Sequence, residues 1–296
     1  MRHVNNAIRW FTAILATVAM VAALLAVTAG PSAATTSPRP TPALRPGDVV
    51  VDHGARAVVP PAGRGVWVHV HRASGAHQQL GLETRLDGQV VVYALGDDAQ
   101  RLGARVPACS DRAFNLLPWR WTSRYNWRFN PASTPSNLSV SAVEQELRRA
   151  TTNITGARND CGRPDNVSAT QSYLGRTTFR ASACDNVADG RNVTDWRALG
   201  GNTLAVTCTF FASGRATESD MRINRTFGWF TGPVPAGCSN RFSVEGVATH
   251  ERGHTYGLGH VNAQALTMRP TVGPCASSRN LVTLGLGDML GLEQKY

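Results

Sequence analysis

Residues 250–260 read His-Glu-Arg-Gly-His-Thr-Tyr-Gly-Leu-Gly-His. His250 and His254 are four residues apart, so on a helix their imidazoles leave one face about one turn from each other. Two nitrogens so placed reach a common metal ion at about 2.0–2.1 Å, the distance usual for zinc. A third ligand must arrive from another direction, and Gly257 permits it. Without a Cβ, that residue can take the left-handed conformation that ends a helix, and the chain then returns to present His260. Three neutral ligands leave a fourth position for water, the mark of a catalytic zinc site rather than a closed structural one. Zinc lowers the pKa of such a water toward about 7. Glu251, beside His250, is placed to take the water's proton and pass it to a leaving amine.

A His-Glu-x-x-His string alone is weak, because it arises often by chance; Gly257 and His260 make the pattern specific. The elements needed to position it are also present. Ser243 opens a helix with Val244, Val247 and Ala248 on its apolar side. Leu204-Ala-Val-Thr-Cys-Thr-Phe-Phe211 reads as a buried strand and Asp220-Met-Arg-Ile-Asn224 as a shorter one. Trp119-Arg-Trp121 and Tyr125-Asn-Trp-Arg-Phe129 alternate apolar with polar residues, as a half-buried strand does. That pattern favours core packing over a sugar platform for Trp119, Trp121 and Trp127. Val140, Val143, Leu147, Ala150 and Ile154 recur at helical spacing, with Ser141 and Glu144 as a capping box.

The run at 250–260 resembles the elongated zinc motif of the metzincin peptidases, and specifically its matrixin branch. Met268, in Leu266-Thr-Met-Arg-Pro270, fits the methionine turn that lies beneath the metal in that family. The resemblance spans about Cys109 to Tyr296. It implies an α/β (α+β) domain with a twisted, mostly parallel sheet, a backing helix and an active-site helix. It also implies hydrolysis of internal bonds in a protein or peptide substrate, with His250, His254 and His260 holding one zinc and Glu251 as base. Gly287-Asp-Met-Leu-Gly-Leu292 is similar to the family's closing helix.

Two departures qualify the resemblance. Vertebrate-type matrixins bind a second, structural zinc through a strand histidine, but no histidine occurs between His77 and His250, so none is expected here. Calcium through Asp185, Asp189, Asp195 or Asp220 is a weaker expectation. Cys161-Gly-Arg-Pro-Asp165 carries the letters of the thiolate switch that blocks zinc in matrixin propeptides. It stands inside the catalytic region, however, where a structural disulfide is the better reading.

The rest of the chain frames this region. Residues 1–34 have arginines at 2 and 9, an apolar run from Phe11 to about Ala29 and small residues at 32–34. They read as a signal peptide and predict a secreted, extracellular protein without stable membrane association, with an uncleaved membrane anchor as the alternative. Export makes the six cysteines, Cys109, Cys161, Cys184, Cys208, Cys238 and Cys275, readable as three disulfides. Their pairing is open, although Cys238 and Cys275 bracket the zinc segment. Residues 35–47 form a Pro/Thr-rich linker. Residues 48–108 form a small β-rich module, a propeptide or an accessory unit, with strands near 58–59, 66–71 and 90–93 and a hairpin turn at Asp87-Gly88. His69 and His71 share a side of their strand, and a solvated face is the plainer expectation for them.

The formal net charge is +10, almost all of it from scattered arginine, with Lys295 the single lysine. No recognition motif accompanies this charge, which argues against nucleic acid as a partner. A monomer is the default expectation. Two rival functions remain: a zinc amidase acting on cell-wall peptides, and a non-catalytic binding module. A base beside the open metal position argues against the second.

Overall fold

A computed structural model of the chain describes residues 43–74, 78–95, 106–182, 184, 187–276 and 282–296. The expected signal peptide, most of the linker, His77 and Asp185 lie outside the described residues.

The elements in chain order are β1 (Val49–Asp52), β2 (Ala55–Val58), β3 (Arg64–Arg72), β4 (Gln78–Thr84), β5 (Val90–Leu95) and β6 (Tyr125–Asn130). There follow α1 (Val140–Thr155), β7 (Gln171–Arg176), β8 (Val193–Arg197), β9 (Thr203–Ala212), β10 (Arg215–Asn224), β11 (Gly228–Phe230) and β12 (Arg241–Ser243). The chain closes with α2 (Val244–Thr255) and α3 (Leu286–Lys295). One eight-stranded sheet runs β5-β4-β3-β9-β10-β8-β6-β7. It is mixed: the β10-β8, β8-β6 and β6-β7 ladders are parallel, and those from β5 through β10 are antiparallel.

The N-terminal strands therefore continue the sheet of the zinc region, because β3 pairs along the whole of β9, with Val68 opposite Cys208 and His69 opposite Thr207. Side chains alternate across a strand, so β3 serves two cores. Val66, Val68 and Val70 join Leu80, Leu82, Ala55 and Ala57 in an apolar cluster beneath β2. Trp67, His69 and His71 face the opposite way, toward α2. On that side lies the larger core, where Val143, Leu147, Ala150 and Ile154 of α1 and Val244, Val247 and Ala248 of α2 are buried.

Some local expectations shift. The N-cap of α1 is Ser139, whose hydroxyl accepts from Ala142 N, rather than Ser141. Glu144 instead pairs with Arg176. Residues 119–121 form no strand; Arg120 makes an isolated bridge with Arg215. The Asp87-Gly88 turn joins β4 to β5, with Gly88 at φ +85°.

All six cysteines are paired, as Cys109–Cys161, Cys184–Cys208 and Cys238–Cys275. Cys161 is thus a structural half-cystine. No helix among the described residues is long and apolar enough to cross a membrane.

Candidate metal centre

The zinc helix begins where Ser243 Oγ accepts the Gly246 N–H, and it ends at Thr255. Gly257 then takes φ +85°, and a Cβ there would strike the Trp119 carbonyl. The left-handed residue expected from the sequence is present for both reasons. Two indoles, Trp119 and Trp121, donate to the Thr255 carbonyl and pin the last turn. Both are buried, as core packing requires.

The bend brings three ring nitrogens together. Nε2 of His250 lies 3.1 Å from Nε2 of His260, and Nε2 of His254 lies 3.0 Å from each of the other two. Each Nδ1 is engaged on the far side. His250 Nδ1 donates to the Thr267 carbonyl and His254 Nδ1 to the Leu258 carbonyl, both at 2.8 Å. A carbonyl only accepts, so these bonds place the proton on Nδ1 and leave Nε2 as a lone pair. Gln79 Nε2 lies 2.7 Å from His260 Nδ1, and a half-turn of the carboxamide would bring its accepting oxygen to the ring instead. Burial holds His250 neutral, lowering its pKa to about 3, and drives His254 well below the ordinary value. Three imidazoles converging on one point suit zinc, and the carbonyl bonds at His250 and His254 are of the kind that orient histidine ligands.

Glu251 is fully buried beside this point. Its Oε2 accepts from Thr207 Oγ1 at 2.5 Å, and its Oε1 lies 3.1 Å from His71 Nδ1. Burial raises its pKa to about 7, with His250, the Thr207 hydroxyl and Arg252 drawing it partly back. A base poised near neutrality suits proton transfer.

Met268 lies under the helix: a Cβ on Gly253 would collide with its Sδ. Its turn is anchored by Asp288 of α3, which accepts from Thr267 N, Met268 N and Gly285 N. On the other flank, Arg252 is wholly buried. It donates to Tyr125 Oη, Thr194 Oγ1 and Thr151 Oγ1 and lies over the Trp127 ring.

The solvated strand face expected for His69 and His71 is corrected here. Both are buried, His69 stacked on His254 and His71 4.3 Å from His250 between ring centroids. Strand pairing across more than a hundred residues put them there, and no local pattern encodes that. Thr207, Gln79, Thr267, Asp288 and Arg252 escaped the sequence reading for a similar reason, since their roles depend on contacts distant in the chain.

Tyr256 Oη donates to the Thr170 carbonyl and Tyr296 Oη to the Tyr256 carbonyl, so both are structural ties. Asp195 and Asp220 accept from backbone amides of the 181–193 segment, and Asp189 pairs with Arg191. Among the described residues, the groupings of three potential ligand atoms are His250-His254-His260 and His71-His250-Glu251.

Among curated proteins no match was found. Residues 168–296 match the family model Peptidase_M10, matrixin, a stretch that takes in β7 through α3 and every residue of the histidine cluster. Family match and geometry agree over this stretch: residues 168–296 are similar to a matrixin-like metzincin domain of the zinc metallopeptidase type.

Proposed function

We propose that the protein is a secreted zinc endopeptidase in which His250, His254 and His260 hold the metal and Glu251 is the general base. The observation that carries this reading is the convergence of three Nε2 atoms within 3.1 Å beside a buried carboxylate. When bound, zinc supplies Lewis acidity to the attacking water and to the scissile carbonyl. Glu251 removes the water's proton and returns it to the leaving amine. Thr207 keeps one carboxylate oxygen in place, and the other, which meets His71 Nδ1 in this structure, is the one that would face the water. Gly257 gives His260 its approach, and Met268 floors the site.

Secretion is supported by the charged and apolar N terminus and by three disulfides. The division proposed is signal peptide 1–34, linker 35–47, β-rich segment 48–108 and catalytic region 109–296. Determining the N-terminal residue of the secreted protein tests it: a start near Thr35 retains the β-rich segment, and one near Cys109 removes it.

Glu251→Ala tests the mechanism. The variant should keep one zinc per chain and lose hydrolysis of a casein-type substrate by about 10²-fold or more, the range of an acid–base contribution. Undiminished hydrolysis would sink the assignment. Cleavage of purified peptidoglycan but not of denatured protein would move the reading to a cell-wall amidase.

A further inference from the structure

The bend between His254 and His260 does not stand alone. The Gly257 carbonyl accepts from Leu117 N, Gly259 N donates to the Asn115 carbonyl, and Leu116 and Leu258 form a bridge between them. The Leu258 carbonyl also accepts from His254 Nδ1. Residues 115–117 thus run beside the bend as a short template. Their position sets where the chain turns and the direction from which His260 arrives.

That template is held from the last residues of α3. Lys295 donates from Nζ to the Leu117 carbonyl at 2.7 Å and to the Trp119 carbonyl. Its side chain lies against the bend itself: a Cβ on Gly257 would come within 2.8 Å of Cε and 3.0 Å of Nζ. Tyr296 adds a parallel tie, since its Oη accepts from Trp121 N and donates to the Tyr256 carbonyl. Arg120 donates to the Lys295 carbonyl from the other side.

The choice of residue is informative. The chain uses arginine for every other long basic side chain. An ammonium is a compact centre with three donors, able to join two carbonyls over a glycine where a planar guanidinium fork is too broad. Burial, and then Arg120, draws the Lys295 ammonium down to about 8. A helix-end lysine pointing into water would escape that cost. Asp288, which holds the turn of Met268, lies seven residues earlier on the same helix, about two turns or 10 Å away. One rigid element therefore spans the floor of the site and the bend that supplies its third ligand.

We propose that Lys295 is a positioning residue for the metal centre: by tying the carbonyls of Leu117 and Trp119 to α3 and seating on Gly257, it fixes the approach of His260 to the metal. This rests on the reading of His250, His254 and His260 as zinc ligands. Lys295 touches neither the metal position nor Glu251 and takes no part in proton transfer.

The test is a double-mutant cycle on zinc affinity, measured on the full chain by competition with chelators of graded strength. Lys295→Met keeps most of the apolar stem and removes the donors. It should weaken zinc binding by about 10–100-fold, the usual cost of an outer contact. In a His260→Ala background the same substitution should cost less than about 2-fold, because the ligand through which it acts is gone. Where Lys295→Met does not fold, Lys295→Gln, which retains a shorter amide donor, is carried through the same cycle.

Equal losses in the two backgrounds would assign Lys295 a general structural role and overturn the proposal, as would no loss in either. A wild-type chain that takes up no zinc would refute the metal-centre reading itself, and this inference with it.

Discussion

Asp288 accepts the backbone N–H of Met268 at 3.2 Å, joining the closing helix to the floor of the metal site. The same carboxylate takes the N–H of Thr267 and of Gly285, and the Thr267 carbonyl in turn orients His250. Asp288→Ala leaves three buried amides unanswered. It should lower unfolding free energy by about 2–4 kcal/mol, from the desolvation cost of several orphaned donors. Zinc affinity should fall with it, since a lost outer contact typically costs about 10–100-fold. Urea unfolding and metal competition measure the two; wild-type values for both would refute the linkage.

Gly253 is the position on the zinc helix where Met268 comes closest. Gly253→Ala gains up to about 1 kcal/mol of helix propensity but forces a methyl into the sulfur, an overpacking worth about 1–3 kcal/mol. A net loss is expected, read as a lower thermal midpoint. Combining it with Met268→Ala should recover part of the loss, and strictly additive effects would show that the two residues do not touch.

Arg252 is buried with three hydroxyl partners and, among the described residues, no carboxylate in ion-pair contact. Its fork binds three hydroxyls from α1, β6 and β8, which an ammonium cannot span. Arg252→Lys should therefore destabilise by about 2–4 kcal/mol, as breaking a buried network does. A change under about 0.5 kcal/mol in denaturant unfolding would contradict this.

Glu218 of β10 is buried, and desolvation raises its carboxyl to about 7, with the Gly190 amide opposing. The folded state therefore holds a proton that the unfolded chain releases near 4.5. Between those values the native form binds more protons, so stability contributed here falls as pH rises. Across pH 5 to 7.5 the wild type should lose at least about 1.4 kcal/mol more than Glu218→Gln, the worth of one pKa unit. Parallel pH profiles of unfolding free energy for the two proteins would rule this out.

The convergence of His250, His254 and His260 was legible because its signal is local. Helical period, one glycine and a returning histidine all fall within eleven residues, and Gly257 has the required φ. β9 and β10 were legible from their apolar density, although each extends beyond its apolar centre. β7 (Gln-Ser-Tyr-Leu-Gly-Arg) and β8 (Val-Thr-Asp-Trp-Arg) were not, because short strands of mixed polarity owe their state to neighbours. The course of β3 is the clearest limit. Its alternation declares a strand and even pairs His69 with His71 on one side, but periodicity carries no address for a partner. That address lies in the fit of Val68 and His69 against β9, which exists only after folding.

The disulfide map has an asymmetric consequence. Every bridge begins at or after Cys109, so the chain from Ala43 to Leu95 is joined to the remainder by one peptide route alone. Cys109–Cys161, by contrast, ties the first residues of the catalytic region to the loop that follows α1. A single cut between Leu95 and Val106 would leave a new N terminus a short way ahead of a covalent anchor at Cys109. The strands upstream would be held by non-covalent contacts only. The molecule is partitioned into a side that one hydrolytic event sets loose and a side that the same event cannot unravel.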